Sequence, residues 1–267
     1  MKLFIDSADV EQIKKAYALG IMDGVTTNPS LIRVAAERYA TKDMESYIKN
    51  IFEIVGRDPV SLEVKGGNCD EMYKQARALY TKFKTPHNTV VIKIPISSSV
   101  SKGDGLIIES LKVIKKLSGE GIPTNVTLVF TPEQALLAAK AGATYVSPFV
   151  GREDDFIRAK SGEQFNKADY FVPEEGEETN LIDNGINSGL EIVDDILTLF
   201  LHYGYKTQVL SASLRNTRQV RESALLGSHV ATIPYSVIED MLKHPKTLEG
   251  MQKFTSDFVP EYEDLLK

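Results

Sequence analysis

The sequence predicts an α/β protein, a (β/α)8 TIM barrel of parallel strands, on three observations. Short apolar, β-branched runs recur along the chain, helical stretches separate them, and brief loops join one to the next. Strict alternation of strand and helix makes the strands parallel with right-handed crossovers. Eight such units in 267 residues close a barrel. The runner-up is a doubly wound open sheet, which carries a glycine fingerprint after its first strand. The nearest match here, Gly103-Asp104-Gly105, lacks a third glycine and follows the fourth strand. Residues 1–267 read as one domain.

Taken in order, Leu3–Asp6 is a strand, and Ser7 and Asp9 offer cap chemistry for a helix near Val10–Leu19 that Gly20 ends. Gly24–Thr27 is the second strand, and Asn28-Pro29-Ser30 opens a helix with proline in its first turn. A charged helical stretch from about Thr41 to Val55 leads to the third strand, Val60–Val64. Asp70–Phe83 is helical and Val90–Pro95 is the fourth strand. Gly105–Leu117 is helical, Ile122–Phe130 is the fifth strand, and Thr131-Pro132-Glu133 starts an alanine-rich helix ending at Gly142. Thr144–Val150 is the sixth strand, after which the rhythm breaks from Asp154 to Asn187. It resumes with a helix at Leu190–Tyr203, a strand at Thr207–Leu214, a helix at Thr217–Leu226 and a strand at His229–Ile233. Helical stretches near Tyr235–Leu242 and Leu248–Leu266 close the chain, so that about 245–267 forms a C-terminal helical segment.

The fourth strand, VVIKIP, is the most informative stretch. Alternation puts Val90, Ile92 and Ile94 on one face and Val91 and Lys93 on the other. An ammonium among apolar side chains is paired, exposed at the strand end, or neutral, and a neutral lysine attacks carbonyls. The plainer reading is an edge-strand lysine that blunts aggregation.

A barrel keeps its chemistry at the C-terminal ends of its strands. Those ends supply Asp6, Thr26, Asn28, Glu63, Lys93, Asn125, Thr127, Ser147 and Ser213, which would surround Lys93 with hydrogen-bonding groups and two carboxylates. Singly, each has a dull explanation, such as a helix cap for Asp6 or a turn for Asn28. Two arginines follow strands directly, Arg152 in SPFVGR and Arg215 in SASLRN. Arginine forks hold phosphate bidentately, the alternative being two solvated loop side chains.

Composition excludes several classes. A net charge of −6 argues against nucleic acid or an anionic membrane as partner. A single cysteine, Cys69, permits no internal disulfide and fits a reducing compartment. Met1 runs into LFID without a leader, and no apolar run nears the ~18 residues of a membrane span. The expected location is cytoplasmic. His87, His202, His229 and His244 show no ligand spacing, and neither a P-loop nor a G-x-S-x-G is present. No metal and no cofactor is expected.

The strings FIDSAD at 4–9, GVTTNPSLI at 24–32, SLEV at 61–64, VIKIP at 91–95, NVTLVF at 125–130, SPFVGR at 147–152 and SASLRN at 211–216 resemble the transaldolase family. The resemblance is to its short branch of transaldolase-like proteins and fructose-6-phosphate aldolases. It implies a Schiff base on Lys93, proton transfer by Asp6, and a water held by Glu63 and Thr127. It further implies substrate binding by Thr26, Asn28, Asn125, Ser147 and Phe149, and a phosphate held by Arg152, Ser213 and Arg215. The implied reaction moves a dihydroxyacetone unit between sugar phosphates. Aldolase cleavage to free dihydroxyacetone, an inert sugar-phosphate-binding barrel and a scaffold protein are the rivals. In the aldolase branch glutamine replaces Glu63 and tyrosine replaces Phe149, so both positions favour transfer here. The resemblance also implies a homo-oligomer, a pentamer or decamer, with the closing helix packed on a neighbouring subunit.

The chain departs from the family at 154–187, an insertion with nine acidic residues against three basic ones. YFVPEEGEET reads as a solvated loop, whereas Phe156, Phe165, Tyr170 and Phe171 are too many aromatics for a detached one. A surface insertion is expected ahead of a lid.

Overall fold

Why the barrel closes is visible in two sets of side chains that alternate along each strand. A computed structural model of the chain describes residues 1–173, 183 and 185–267. Its eight parallel strands are β1 (Lys2–Asp6), β2 (Gly24–Thr26), β3 (Pro59–Glu63), β4 (Thr89–Pro95), β5 (Thr124–Val129), β6 (Tyr145–Pro148), β7 (Gln208–Ser211) and β8 (Val230–Ile233). They pair in sequence order, and β8 returns to β1. The outward set, which includes Val90, Ile92, Ile94, Val126 and Val146, packs into the large core shared with the helices. The inward set, Phe4, Val91, Tyr145, Leu210, Ala212 and Val230, forms a small apolar plug. Two residues further along their strands, Phe4, Val91, Tyr145 and Val230 give way to Asp6, Lys93, Ser147 and Thr232. A period of two therefore stacks a polar tier directly on an apolar one. The plug is tight at Gly24, where a Cβ would lie 2.7 Å from the Phe4 ring.

The helices begin where capping chemistry allows. Asp9 caps α1 (Val10–Ala18), Asn28 caps α2 (Pro29–Arg38), and Asp43 caps α3 (Met44–Val55). Asn68 and Glu71 form a capping box on α4 (Cys69–Phe83). Then come α5 (Glu109–Gly119), α6 (Pro132–Ala141), α7 (Val150–Lys160), α8 (Gly189–Tyr203), α9 (Thr217–Leu226) and α10 (Tyr235–Met241). The last two are α11 (Pro245–Ser256) and α12 (Pro260–Glu263). Among the described residues, no helix is long and apolar enough to cross a membrane.

Several details differ from the sequence reading. The helix expected from Gly105 starts at Glu109, because Gly105 takes φ +74° in the turn before it. Near the end of β5, Leu128 takes φ +58° and the register against β6 slips between Val126 and Val129, a bulge beside Thr127. The strand expected to reach Leu214 ends at Ser211, since Ser213 takes φ +58° and leaves the ladder. The sixth strand ends at Pro148, and Val150 already belongs to α7.

Regular structure also persists past Asp154. That side chain, inside α7, accepts from Gly189 N at 2.9 Å and from Gln219 Nε2 at 2.8 Å, joining α7 to α8 and α9. After Lys160 the insertion is fastened by aromatics. The buried Arg158 guanidinium lies 5.1 Å from the Phe165 ring and 5.0 Å from that of Phe171. Arg218 lies 3.8 Å over Tyr170. The acidic part of YFVPEEGEET, from residue 174, lies outside the described residues.

The C-terminal segment is broken ahead of Pro260, with α11 ending at Ser256 and α12 starting at the proline. Along it Leu248, Met251, Phe254, Phe258, Tyr262 and Leu265 are all exposed.

Candidate active site

Lys93 is the centre of the polar tier. Its neighbours in the ladder are Glu63 on β3 and Asn125 on β5. With only 5% of its surface exposed, it is not an edge-strand lysine. Its Nζ donates to the Thr27 carbonyl at 3.1 Å and lies 3.3 Å from Glu63 Oε2. A buried amine held by one carbonyl and one carboxylate keeps a defined direction into the barrel mouth.

Two carboxyl groups flank it. Asp6 accepts from Thr26 Oγ1 at 2.7 Å. Burial raises its pKa, against the opposing pull of Lys93, of the Thr26 hydrogen bond and of Arg152. Glu63 is raised too, first by burial, with Lys93 opposing and the Asp6 charge adding. Both groups are thus moved toward the range in which a carboxyl gives and takes protons near neutrality.

On the other side runs a hydroxyl–amide chain. Ser147 Oγ donates to Asn125 Oδ1 at 2.6 Å, and Asn125 Nδ2 donates to Ser61 Oγ at 3.3 Å. Thr127 is buried, and its Oγ1 has no partner among the described residues. A buried hydroxyl in that condition is ready to bind water or substrate.

Asp6, Thr26, Asn28, Lys93, Asn125, Ser147, Phe149, Arg152 and Ser213 line one inner cavity of about 80 Å³. Asn28 does double service, since its Oδ1 also caps α2 by accepting from Leu31 N at 3.0 Å. Beside it opens an outer cavity of about 580 Å³, walled by Phe130, Arg152, Glu153, Asp155, Phe156, Lys167, Asp183 and Arg215. Arg152 borders both and lies 5.1 Å over the Phe149 ring. Arg215, expected beside Arg152, faces the outer cavity only. It is held by Asp155 Oδ1 at 2.5 Å, and Lys167 Nζ stands 4.0 Å from the other Asp155 oxygen. Glu153 in the same wall is buried against Asp183, which together with desolvation pushes its pKa up to about 8. Among the described residues, no three His, Cys, Asp or Glu side chains converge to hold a metal ion.

The sequence reading brings together the residues of the inner cavity but misses Thr27, Ser61 and Thr232. Thr27 acts through its backbone, which residue type does not advertise. Ser61 and Thr232 carry the same signal as the others, an inward hydroxyl near the end of a strand. Asp155 and Lys167 belong to the stretch read as an insertion.

Comparison with known proteins follows the same lines. The family description Transaldolase/Fructose-6-phosphate aldolase matches residues 3–264. A probable transaldolase of Clostridium perfringens (strain 13 / Type A) is 43% identical over 258 residues, covering 97% of this chain and 97% of that one. One from Geotalea uraniireducens is 44% identical over 258 residues, covering 97% and 98%. One from Thermodesulfovibrio yellowstonii is 43% identical, again covering 97% and 98%. Among solved structures, a mandelate oxidase mutant with an FMN adduct superposes with a TM-score of 0.51 at 12% identity, covering 88% of this chain and 64% of that one. That likeness concerns the barrel alone.

Proposed function

The chain belongs to the transaldolase/fructose-6-phosphate aldolase family, and from that premise we propose that it is a cytoplasmic transaldolase. It transfers a dihydroxyacetone unit from sedoheptulose 7-phosphate or fructose 6-phosphate to an aldose phosphate, as in the pentose phosphate pathway. The observation that carries the reading is the Lys93–Glu63 contact of 3.3 Å at the floor of a polar mouth.

In this reading Lys93 Nζ adds to the donor's ketone, and water leaves to give an imine. Glu63, with Thr127, holds the water that carries protons in that step and its reversal. Asp6 takes the proton from the C4 hydroxyl, the C3–C4 bond breaks, and the electron pair enters the imine, which acts as the sink. The aldose leaves, an acceptor aldehyde takes its place, and the steps reverse. Asn28, Asn125 and Ser147 hold the hydroxyls of the three-carbon adduct, while Arg152, Ser213 and Arg215 hold the phosphate.

The alternative, cleavage to free dihydroxyacetone, uses the same imine and differs in whether water competes with the acceptor. Phe149 lines the inner cavity without a hydroxyl, which supports transfer. The test is fructose 6-phosphate with and without erythrose 4-phosphate, scoring sedoheptulose 7-phosphate against free dihydroxyacetone. Cleavage equally fast without acceptor would give the reaction to the aldolase reading.

The same proposal includes a homo-oligomer, a pentamer or decamer. The exposed row from Leu248 to Leu265 supports it, as a helical stripe of that kind is buried when it has a partner.

A further inference from the structure

Thr232 lines the inner cavity from β8, with 3% of its surface exposed. Its Oγ1 lies 2.6 Å from Thr26 Oγ1, which in turn lies 2.7 Å from Asp6 Oδ1. β2 and β8 are the two ladder neighbours of β1, so the threonines bracket the strand that ends in Asp6. Proton counting fixes the direction of the chain. An ionised carboxylate only accepts, so the single Thr26 proton points to Asp6 and Thr232 donates to Thr26. When Asp6 holds a proton directed at Thr26, the order turns round, and Thr26 donates to Thr232. The three oxygens have one polarity for each protonation state of Asp6.

We propose that Thr232 is a positioning residue for the carbon–carbon bond step, acting through Thr26 to orient Asp6 and favour its ionised form. The inference rests on the reading of Asp6 as the proton acceptor. The bond that Thr232 donates polarises Thr26 and strengthens the bond Thr26 gives to the carboxylate. The charged groups facing Asp6 are Lys93 from β4 and Arg152 from α7, which favour the carboxylate, and Glu63 from β3, whose charge opposes it. Among the described residues, the Thr232 hydroxyl forms no hydrogen bond to any of these three.

The experiment compares Thr232→Val, which keeps the shape and loses the hydroxyl, with Thr232→Ser, which keeps the hydroxyl. The acid limb of the kcat/KM profile with fructose 6-phosphate and erythrose 4-phosphate shifts to higher pH in Thr232→Val by about a few tenths of a unit. It returns to the wild-type position in Thr232→Ser. Borohydride trapping of dihydroxyacetone on Lys93 breaks no carbon–carbon bond, and its yield is unchanged in both. An unmoved limb in Thr232→Val, or an equal shift in Thr232→Ser, overturns the role of Thr232 while a normal adduct leaves the imine intact. Failure of wild type to trap dihydroxyacetone on Lys93 overturns the imine reading and this inference with it. Should Thr232→Val fold poorly by its Tm, Thr232→Ala repeats the comparison without the risk of overpacking.

Discussion

Asp155 on α7 holds the Arg215 guanidinium at 2.5 Å, so the arginine expected to bind phosphate already has an anionic partner. The same carboxylate stands 4.0 Å from the Lys167 ammonium. A bound phosphate would compete with Asp155 for both cations. Asp155→Asn therefore tightens inhibition by inorganic phosphate roughly two- to five-fold, as for a partly exposed ion pair, and the gain fades in high salt. Arg152→Ala and Arg215→Ala weaken phosphorylated donors by about 1.5–3 kcal/mol and leave dihydroxyacetone unaffected. Weaker phosphate inhibition in Asp155→Asn would mean that the carboxylate serves to aim Arg215.

Lys93→Met stands over the apolar tier that contains Val91 and retains the fold, with an unchanged far-UV spectrum. Intact mass after borohydride and fructose 6-phosphate shows an adduct on wild type and none on the variant. An adduct on Lys93→Met would move the nucleophile elsewhere.

Phe149→Tyr puts a phenol at the edge of the inner cavity, where it can hydrogen-bond to water. The expected outcome is more free dihydroxyacetone per sedoheptulose 7-phosphate formed. An unchanged product ratio would remove Phe149 from the choice between transfer and release.

Burial and Asp183 raise the Glu153 pKa from 4.5 to about 8. Between those values the native state keeps a proton that the unfolded chain has released, so stability falls as pH rises through this window. Glu153→Gln keeps a donor and removes the titration. Its Tm exceeds wild type by about 2–4 °C at pH 9 and matches it near pH 5. A Tm difference that does not change with pH would refute this.

What the sequence could show follows from how each contact is built. The polar tier was legible because period-two alternation and the strand ends locate Asp6, Lys93 and Ser147 without reference to any other strand. Thr232 carries the same signal, and only its partner Thr26 distinguishes it from an ordinary strand threonine. The capture of Arg215 by Asp155 joins residues 60 positions apart, one on α7 and one in the loop after β7, and no local pattern encodes that pairing. Ser213 and Leu128 adopt φ values that neither serine nor leucine prefers, so neither the early end of β7 nor the bulge within β5 is legible in residue type.

Truncation after Met251 removes Phe254, Phe258, Tyr262 and Leu265 from the exposed row. Light scattering should then report a smaller assembly than the full chain, with the barrel's Tm little changed. Intact assembly after truncation would assign the subunit contact to another surface.

The polar tier also divides along the chain in the order of its synthesis. Asp6, Glu63 and Lys93 stand on β1, β3 and β4, whereas Arg152, Ser213, Arg215 and Thr232 follow only with β6 and beyond. A nascent chain that has emerged as far as Pro95 holds the proposed nucleophile and both carboxyl groups but none of the residues proposed to hold phosphate. Thr26 meets Thr232 across 206 positions, so the last strand to leave the ribosome completes the surroundings of an aspartate in the first.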